Sequence, residues 1–461
     1  MSMRRSTFTS AAVAGALAAG LLITVHESWP DGCPERPRTL TVLGDKDVSS
    51  GRQRKELIEN WRGRDGMRAE LRELPGVADL QHAQAVATAQ GGGCGIDVYI
   101  LDGPWVAEFA EAGYLRPIAE GALADLEKRE PLNALLPGAL RRSGYFDGRL
   151  WAVPLSADAP LLYYRKDLLD AAGFRPPESW PELWEQAEKV LASPHGDLKA
   201  GYAAQLARYE GFTVNALELM WAHDDGDLVE DGEVEINPTA LRSISEKLGP
   251  ADGRTLIARD SFVWHEDEAT EAFFSGRTLF LRNWPTAYRR LAEDPSLKKE
   301  ADLTAKYGVA PLPGQGVLGG QLLAVAARSP YRDEARDLIG ELTGYDAQHR
   351  LFWCGGFAPV RTEVYERRGA EDCESAKPED PDKRVVRHLP WEFMPALRQA
   401  VERARPRPES PSYTRFSFVF QDLMYCGLQT PPLTSSCSRP SAAPAFPGDL
   451  EDRLTEALNG R

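Results

Sequence analysis

Asp102 is the residue whose position most directly indicates a binding role. It ends the apolar run at 96–101, which has the composition of a buried strand. Burying a carboxylate is costly unless it faces a cleft or finds a partner. Asp102 is therefore a candidate acceptor for a bound ligand. The alternative is a helix N-cap, because Pro104 opens a helical pattern directly afterwards.

Motifs for enzymatic chemistry are weak or missing in the sequence. Residues 314–319 satisfy the GxGxxG spacing, but they follow a Pro-Leu-Pro segment and precede no helix signal, which argues against a dinucleotide site. There is no Walker A loop, HExxH or GxSxG, and His265 lacks a second ligand at helical spacing. We therefore predict no cofactor, no metal site and no catalytic residues. A glycosidase-like carboxyl pair stays open on the number of acids alone.

The elements around Asp102 alternate between strand and helix patterns. Strand-like runs lie at 39–43, 96–101, 161–164, 279–281, 308–312 and 322–327. Helical patterns lie at 51–63, 105–113, 166–172, 181–192, 205–222 and 333–342. Strands that alternate with helices predict an α/β fold with open sheets.

The chain length and the net charge further limit the class of protein. The chain has 461 residues, which is enough for two domains with cores of their own. Its net charge is −15, and an acidic surface repels phosphate backbones. We expect no nucleic-acid partner.

Residues 1–33 have the pattern of an export signal. Arg4 and Arg5 precede a small and apolar run at 11–25. No small-x-small cleavage site follows, and the Pro-Asp-Gly before Cys33 departs from the usual lipoprotein sequence. We predict a place at the extracytoplasmic face of the cell membrane, with a lipid anchor, an uncleaved signal anchor and secretion as alternatives.

The six cysteines suit an exported protein, in which disulfides can form. None of them forms a CxxC motif. Cys354 with Cys373, and Cys426 with Cys437, are the nearest pairs along the chain, but spacing alone leaves the connectivity open.

Five stretches in order resemble the carbohydrate-binding family of extracellular solute-binding proteins of bacterial ABC importers, in particular those for trehalose or maltose. The second stretch contains Gly-Arg-Leu-Trp-Ala-Val-Pro at 148–154, and the third contains Arg-Asn-Trp-Pro at 282–285. The five stretches are residues 97–117, 148–180, 274–285, 308–320 and 405–413.

The resemblance implies an α/β fold of two lobes, with a hinge and a central ligand cleft. The chain crosses between the lobes more than once, so each lobe is discontinuous. We expect lobe 1 to comprise 38–154 and about 280–330, and lobe 2 to comprise 155–279 and about 331–461. Ligand would bind beyond the carboxyl ends of the strands, and the lobes would close on it.

The resemblance also implies which residues hold the ligand. Asp158 matches a segment that supplies a polar ligand contact, and Trp284 matches an aromatic that stacks on sugar. Gly319 and Gly320 would bring backbone N–H groups near the ligand, and Arg361 matches a position that can touch sugar. The alternatives are a turn residue for Asp158, a core side chain for Trp284, a plain turn for the glycines and a surface ion pair for Arg361.

Weaker candidates follow from position along the family pattern. Asp45 or Asp47 follows the first strand, where a polar ligand contact is common. Glu210 and Trp221 flank a helix that typically borders the cleft. Tyr209 would stack on a ligand, although a Tyr at helical spacing also suits a core.

By this resemblance the chain is an extracytoplasmic substrate-binding protein of an ABC transporter. It would bind a di- or oligosaccharide and deliver it to the transmembrane permease subunits, as a monomer. The residues that a sugar site needs are carboxylate acceptors, Arg or Asn donors and aromatic faces. An exported sensory module or a sugar-active enzyme on the same fold is the alternative.

Overall fold

A computed structural model describes residues 38–118, 142–193, 196–222, 228–230, 232–237, 239–240, 256–288, 300–367, 393–425 and 448–461. The predicted export segment at 1–33 lies outside these residues. Cys373, Cys426 and Cys437 do as well. The signal, the anchor and the two suggested disulfide pairings therefore stay predictions.

Strands and helices alternate along the chain, as the sequence predicts. The strands are β1 (Thr39–Asp45), β2 (Arg68–Leu74), β3 (Val98–Asp102), β4 (Tyr145–Phe146), β5 (Arg149–Leu150), β6 (Ala152–Pro154), β7 (Leu161–Arg165), β8 (Ala200–Ala203), β9 (Val229–Glu230), β10 (Glu233–Val234), β11 (Thr278–Asn283), β12 (Tyr307–Pro311) and β13 (Gln321–Val325). The helices are α1 (Gln53–Asn60), α2 (Ala78–Gln90), α3 (Trp105–Glu111), α4 (Lys166–Ala171), α5 (Trp180–Leu191), α6 (Glu210–Trp221), α7 (Glu266–Phe274), α8 (Glu300–Lys306), α9 (Arg332–Thr343), α10 (Tyr345–Trp353), α11 (Thr362–Glu366), α12 (Met394–Arg403), α13 (Tyr413–Met424) and α14 (Gly448–Leu458).

Two sheets organise the fold. Within the described residues the first sheet has the strand order β2-β1-β3-β13-β6, and the second has the order β12-β7-β11-β8. In the first sheet β2, β1 and β3 run parallel, whereas β13 is antiparallel to β3 and to β6. Parallel neighbours need a crossover connection, and α1 and α2 supply it. The α/β class is confirmed.

The central strands are mostly apolar because helices cover both sheet faces, and their charged residues lie at or near the strand ends. Val98, Tyr99 and Leu101 of β3 are almost completely buried, as are Tyr163 of β7 and Phe280 of β11. Each of these strands reads as a continuous apolar run instead of an alternating one. This is the pattern that marks them as strands in the sequence.

Two segments connect the sheets. The first crossover (residues 155–160) leads from β6 to β7, and the second crossover (residues 312–320) leads from β12 back to β13. A third segment, residues 404–407, runs beside the second crossover, where the Leu318 N–H donates to the Arg405 carbonyl at 2.6 Å. The formal GxGxxG stretch lies within the second crossover, with no helix after it.

The expected lobe boundaries need correction. We expected residues 280–330 in lobe 1, but β11 and β12 both pair with β7 in the second sheet. We expected residues from 331 onward in lobe 2, but α9 packs on β13 and β6 of the first sheet. Strand pairing depends on contacts distant in sequence, and an apolar run carries no mark of the sheet it joins.

Cys94 and Cys354 each take part in a disulfide bond. This agrees with an oxidising compartment. Among the helices of the described ranges, none combines the length and the apolar character that crossing a bilayer requires.

Candidate functional site

The topology gathers several of the predicted site residues at one place. β1 and β3 run parallel, so their last residues, Asp45 and Asp102, lie at the same edge of the first sheet. The first crossover leaves from this edge and carries Asp158. In the second sheet, the end of β11 lies beside the start of β7, which places Trp284 next to the end of the same crossover. The cleft therefore has residues from both sheets.

The carboxyl group of Asp158 has a raised pKa. Its Oδ2 accepts a hydrogen bond from the Ser156 hydroxyl at 3.2 Å. Its Oδ1 is buried and has no hydrogen-bond partner among the described residues. Burial raises the pKa of Asp158 to about 7, and the negative charges of Asp45 and Asp102 add to the rise. Asp158 thus holds an unused acceptor oxygen beside two further carboxylates.

Asp45 is held in place by a buried arginine. Arg54 of α1 donates from Nη1 to Asp45 Oδ1 at 2.8 Å and from Nη2 to the Asp45 carbonyl at 2.7 Å. The same Nη1 lies 2.5 Å from Gln321 Oε1, at the start of β13. The Asp45 side chain keeps about a fifth of its surface exposed, 20%. It can therefore accept from a ligand while Arg54 fixes its orientation.

Asp47, the other candidate after β1, has a structural role. Its Oδ1 accepts from the Ser49 amide at 2.9 Å and from the Ser49 hydroxyl at 2.6 Å, and its Oδ2 accepts from the Lys55 amide at 2.8 Å. The Asp47 side chain is fully buried. Between the two candidates, the structure places Asp45 at the cleft.

Arg407 joins Asp102 to Glu210 across the cleft. Its Nη1 donates to Asp102 Oδ2 and to Glu210 Oε1, both at 2.8 Å, and its Nη2 pairs with Asp102 Oδ1. Two parallel N–H contacts to one carboxylate give a strong, directional pair. Asp102 also accepts from its neighbour, the Gly103 amide, at 2.8 Å, but it does not cap α3. The N-cap alternative for Asp102 is therefore wrong.

Glu210, the first residue of α6, is more enclosed than Asp102. Its carboxylate accepts from the Tyr413 and Ser417 hydroxyls, both at 2.6 Å. Its backbone N–H donates to Asp79 Oδ1 of α2 at 3.0 Å, so first-sheet and second-sheet helices meet here. Desolvation raises the pKa of Glu210, while Arg407 acts in the opposite direction. The Glu210 carboxylate is therefore already hydrogen-bonded within the protein.

Trp284 lies between a buried cation and the second crossover. The Arg282 guanidinium is 4.1 Å from the centroid of the Trp284 ring. On another side, a Cβ added to Gly319 would lie 3.2 Å from the ring edge. Trp284 is partly exposed, in contrast to the fully buried core aromatics. A partly exposed indole at the meeting point of the sheets is a surface on which an apolar ligand face can stack.

The two glycines bring the crossovers into contact. The Gly319 N–H donates to the Asp158 carbonyl at 2.7 Å. Gly320 has φ +113°, and a Cβ there would lie 2.2 Å from the Ser156 carbonyl oxygen. The Gly319 N–H is thus hydrogen-bonded within the protein. Both glycines allow the two crossovers to pack closely beside Asp158 and Trp284.

The remaining candidates are not gathered at the cleft in this way. Arg361 is buried, pairs with Glu363 at 3.2 Å and reaches the Thr343 carbonyl at 3.5 Å. Trp221 lies in the core under Arg405. Tyr209 is buried too, with its hydroxyl 2.8 Å from Glu266.

A pocket that is partly open to solvent lies beside this group. It runs between the start of α3, the β4 strand and the second crossover, and Arg407 forms part of its wall. The residues that line it are Gly103, Pro104, Ala107, Ser143, Tyr145, Phe146, Leu318, Gly319, Leu322, Pro406, Arg407 and Glu409. Of the predicted site residues, Gly319 lines it.

The sequence profile of the family described as bacterial extracellular solute-binding protein matches residues 67–379, more than half of the chain. The chain belongs to this family. A probable ABC transporter-binding protein of Deinococcus radiodurans is 29% identical over 410 residues, which are 84% of this chain and 88% of that protein. The predicted membership of the extracellular solute-binding proteins is confirmed.

Solved structures share the fold of this solute-binding protein. The maltose-bound MalE3 of T. maritima superposes with a TM-score of 0.71 at 29% identity, over 92% of this chain and 99% of that one. The GacH receptor of Streptomyces glaucescens has a TM-score of 0.68 at 22% identity, over 91% and 98%. The two-lobed fold with a central cleft is confirmed.

Two arginines of this solute-binding protein were missed by the sequence analysis. Arg54 and Arg407 carry the cations that hold Asp45 and Asp102. Arg407 stands between two prolines in a stretch that was noted only as part of the family pattern. Proline disfavours the helical conformation of the residue before it, so Pro408 favours an extended backbone at Arg407. This feature of the sequence favours a fixed position for the Arg407 side chain.

Gly320→Ala is expected to destabilise the solute-binding protein by at least about 2 kcal/mol. Its φ of +113° disfavours any side chain, and the new Cβ would press on the Ser156 carbonyl. Urea unfolding measures the loss. Gly95→Ala is the control, because a Cβ there meets no atom within 4 Å and its φ is not in the left-handed region. Equal stability of the two variants would contradict the prediction.

Proposed function

We propose that this solute-binding protein receives a neutral di- or oligosaccharide in the cleft and delivers it to the membrane permease of an ABC importer. The names of its relatives support each half of the proposal. The T. maritima protein is described as maltose bound, and the GacH receptor is described in complex with acarbose. The Deinococcus relative is named a probable ABC transporter-binding protein.

The observation that carries the proposal is the grouping of Asp45, Asp102 and Asp158 with Trp284. Carboxylate oxygens accept the hydroxyl hydrogens of a sugar, and an indole face covers its C–H patches. Asp158 adds a buried acceptor oxygen that no described residue uses. A polyhydroxylated neutral ligand would supply the missing donor without adding charge to the cleft.

We also propose the wider biological setting, which membership of the family supports. The protein acts outside the cytoplasm, as a monomer, held at the membrane by its N-terminal segment or secreted. It binds and releases its sugar unchanged, without catalysis. Importer subunits recognise the sugar-loaded, closed form.

A thermal-shift screen over monosaccharides, disaccharides and maltodextrins tests the proposal. A ligand that binds only the folded protein raises the unfolding midpoint in proportion to its affinity and concentration. We expect at least one di- or oligosaccharide to do so, with chromatography showing the same sugar after long incubation. The absence of any shift, or hydrolysis of the sugar, would refute the binding function.

Trp284→Ala is expected to weaken sugar binding by about 1–3 kcal/mol, the usual contribution of a buried aromatic anchor. Titration calorimetry measures the change in affinity. Trp353→Phe is the control, since Trp353 is buried in the core, where its ring lies against those of His349 and Phe352. Unchanged affinity for Trp284→Ala would remove Trp284 from the site.

A further inference from the structure

Glu218 and Arg282 form an ion pair directly beneath Trp284. Both side chains are 1% exposed. Arg282 Nε donates to Glu218 Oε2 at 2.9 Å, and its Nη2 pairs with Glu218 Oε1. Burying two charges removes them from water at a cost that their attraction does not always repay. A buried ion pair of this kind can have a role other than stabilising the fold.

The guanidinium of Arg282 is fixed on its other side by Gln205. Arg282 Nη1 donates to Gln205 Oε1 at 3.2 Å, and Gln205 Nε2 donates back to the Arg282 carbonyl at 2.9 Å. Two partners in different directions prevent the planar group from rotating. Trp284 rests on this plane with 4.1 Å between the guanidinium carbon and the ring centroid, which is a favourable cation–π distance.

Glu218 reaches the second crossover as well. Its Oε1 accepts from the Val317 amide at 3.2 Å, two residues before Gly319. Gly319 in turn abuts the edge of the Trp284 ring. One carboxylate therefore holds both the cation under the ring and the backbone beside it, and the ring has little freedom to change rotamer.

We propose that Glu218 and Arg282 are positioning residues of the ligand site: they hold the Trp284 ring in the orientation in which it stacks on the ligand. The inference rests on the proposed function of Trp284 as a stacking surface. A ring that is already ordered loses less conformational entropy when a ligand binds. The ion pair thus raises affinity without touching the ligand.

The test is a double-mutant cycle with maltose as the probe. The pair variant Glu218→Gln/Arg282→Met removes both charges together, so no buried charge is left without its counter-charge. We expect it to weaken maltose affinity about 5- to 30-fold in the natural background and less than twofold in a Trp284→Ala background. An equal loss in both backgrounds, or no loss in either, would overturn the proposal. Leu338→Ala, at a buried position of α9, controls for general destabilisation and should leave affinity unchanged.

A second measurement needs no ligand. In protein labelled with 5-fluorotryptophan, the Trp284 resonance is assigned through Trp284→Phe. We expect this resonance to move and broaden in the pair variant without sugar, while the other tryptophan resonances stay in place. An unmoved resonance would refute positioning, whether or not sugar binds. If the natural protein binds no sugar of the panel, the proposed function fails, and the fluorine spectrum still decides whether the pair orders the ring.

Discussion

Arg407→Ala is expected to lower the free energy of unfolding by about 3–5 kcal/mol. The substitution leaves Asp102 and Glu210 without the cation that bridges them. The Arg407 side chain is 3% exposed and that of Glu210 is 11% exposed, so water replaces little of what is lost. Since Asp102 ends a strand of the first sheet and Glu210 begins a helix that packs with the second, the variant also loses a link between the lobes.

Two further variants show whether the loss of stability is specific to the Arg407 bridge. Arg407→Lys should recover part of the stability, because an ammonium group keeps the charge but not the paired contacts of a guanidinium. Arg398→Ala breaks an exposed pair with Glu402 and should cost less than about 0.5 kcal/mol. Urea unfolding monitored by tryptophan fluorescence compares all three variants. A loss for Arg407→Ala no larger than that for Arg398→Ala would show that the bridge contributes nothing to stability.

Asp158→Asn is expected to make the protein more stable at neutral and alkaline pH and to leave it nearly unchanged at pH 4. Burial raises the pKa of Asp158 to about 7 in the folded protein, whereas an unfolded Asp titrates near 3.9. Between these values the unfolded chain releases a proton that the folded protein keeps. The natural protein therefore loses stability as pH rises from about 4 to about 7.

The asparagine variant avoids that loss because its amide has no proton to release. The gain reaches at most about 4 kcal/mol above pH 7, since each pH unit of the window corresponds to about 1.4 kcal/mol. Unfolding midpoints of both proteins between pH 4 and pH 9 measure it. Asp170→Asn, at an exposed pair with Lys166, serves as the control and should follow the natural protein. Parallel pH profiles for Asp158→Asn and the natural protein would mean that Asp158 titrates normally.

The same carboxyl should link sugar binding to proton release. A sugar hydroxyl that donates to Asp158 Oδ1 stabilises the ionised form, so binding lowers the pKa of Asp158 and releases a proton near pH 7. Calorimetric enthalpies of binding would then depend on the ionisation enthalpy of the buffer. The dependence should vanish in Asp158→Asn.

Local sequence patterns determined the class of this protein and many of its elements. Buried strands such as β3 and β7 are continuous apolar runs, which are visible without any partner strand. Ser179 caps α5, because its hydroxyl accepts from the Glu182 amide three residues along the chain. These features depend on neighbours along the chain, so one sequence suffices to predict them. The family resemblance added the candidates Asp158 and Trp284.

The tertiary structure decided which residues meet. The joining of Asp102 to Glu210 by Arg407 depends on groups far apart in sequence. Arg407 lies 305 residues from Asp102 and 197 from Glu210, and no local spacing relates them. The lobe boundaries escaped prediction for the same reason, since an apolar run pairs with whichever sheet its connections allow. Asp102 is recognisable in the sequence because a charged residue ends a buried strand. The arginine that pairs with it, Arg407, is not, because it comes from a distant part of the chain.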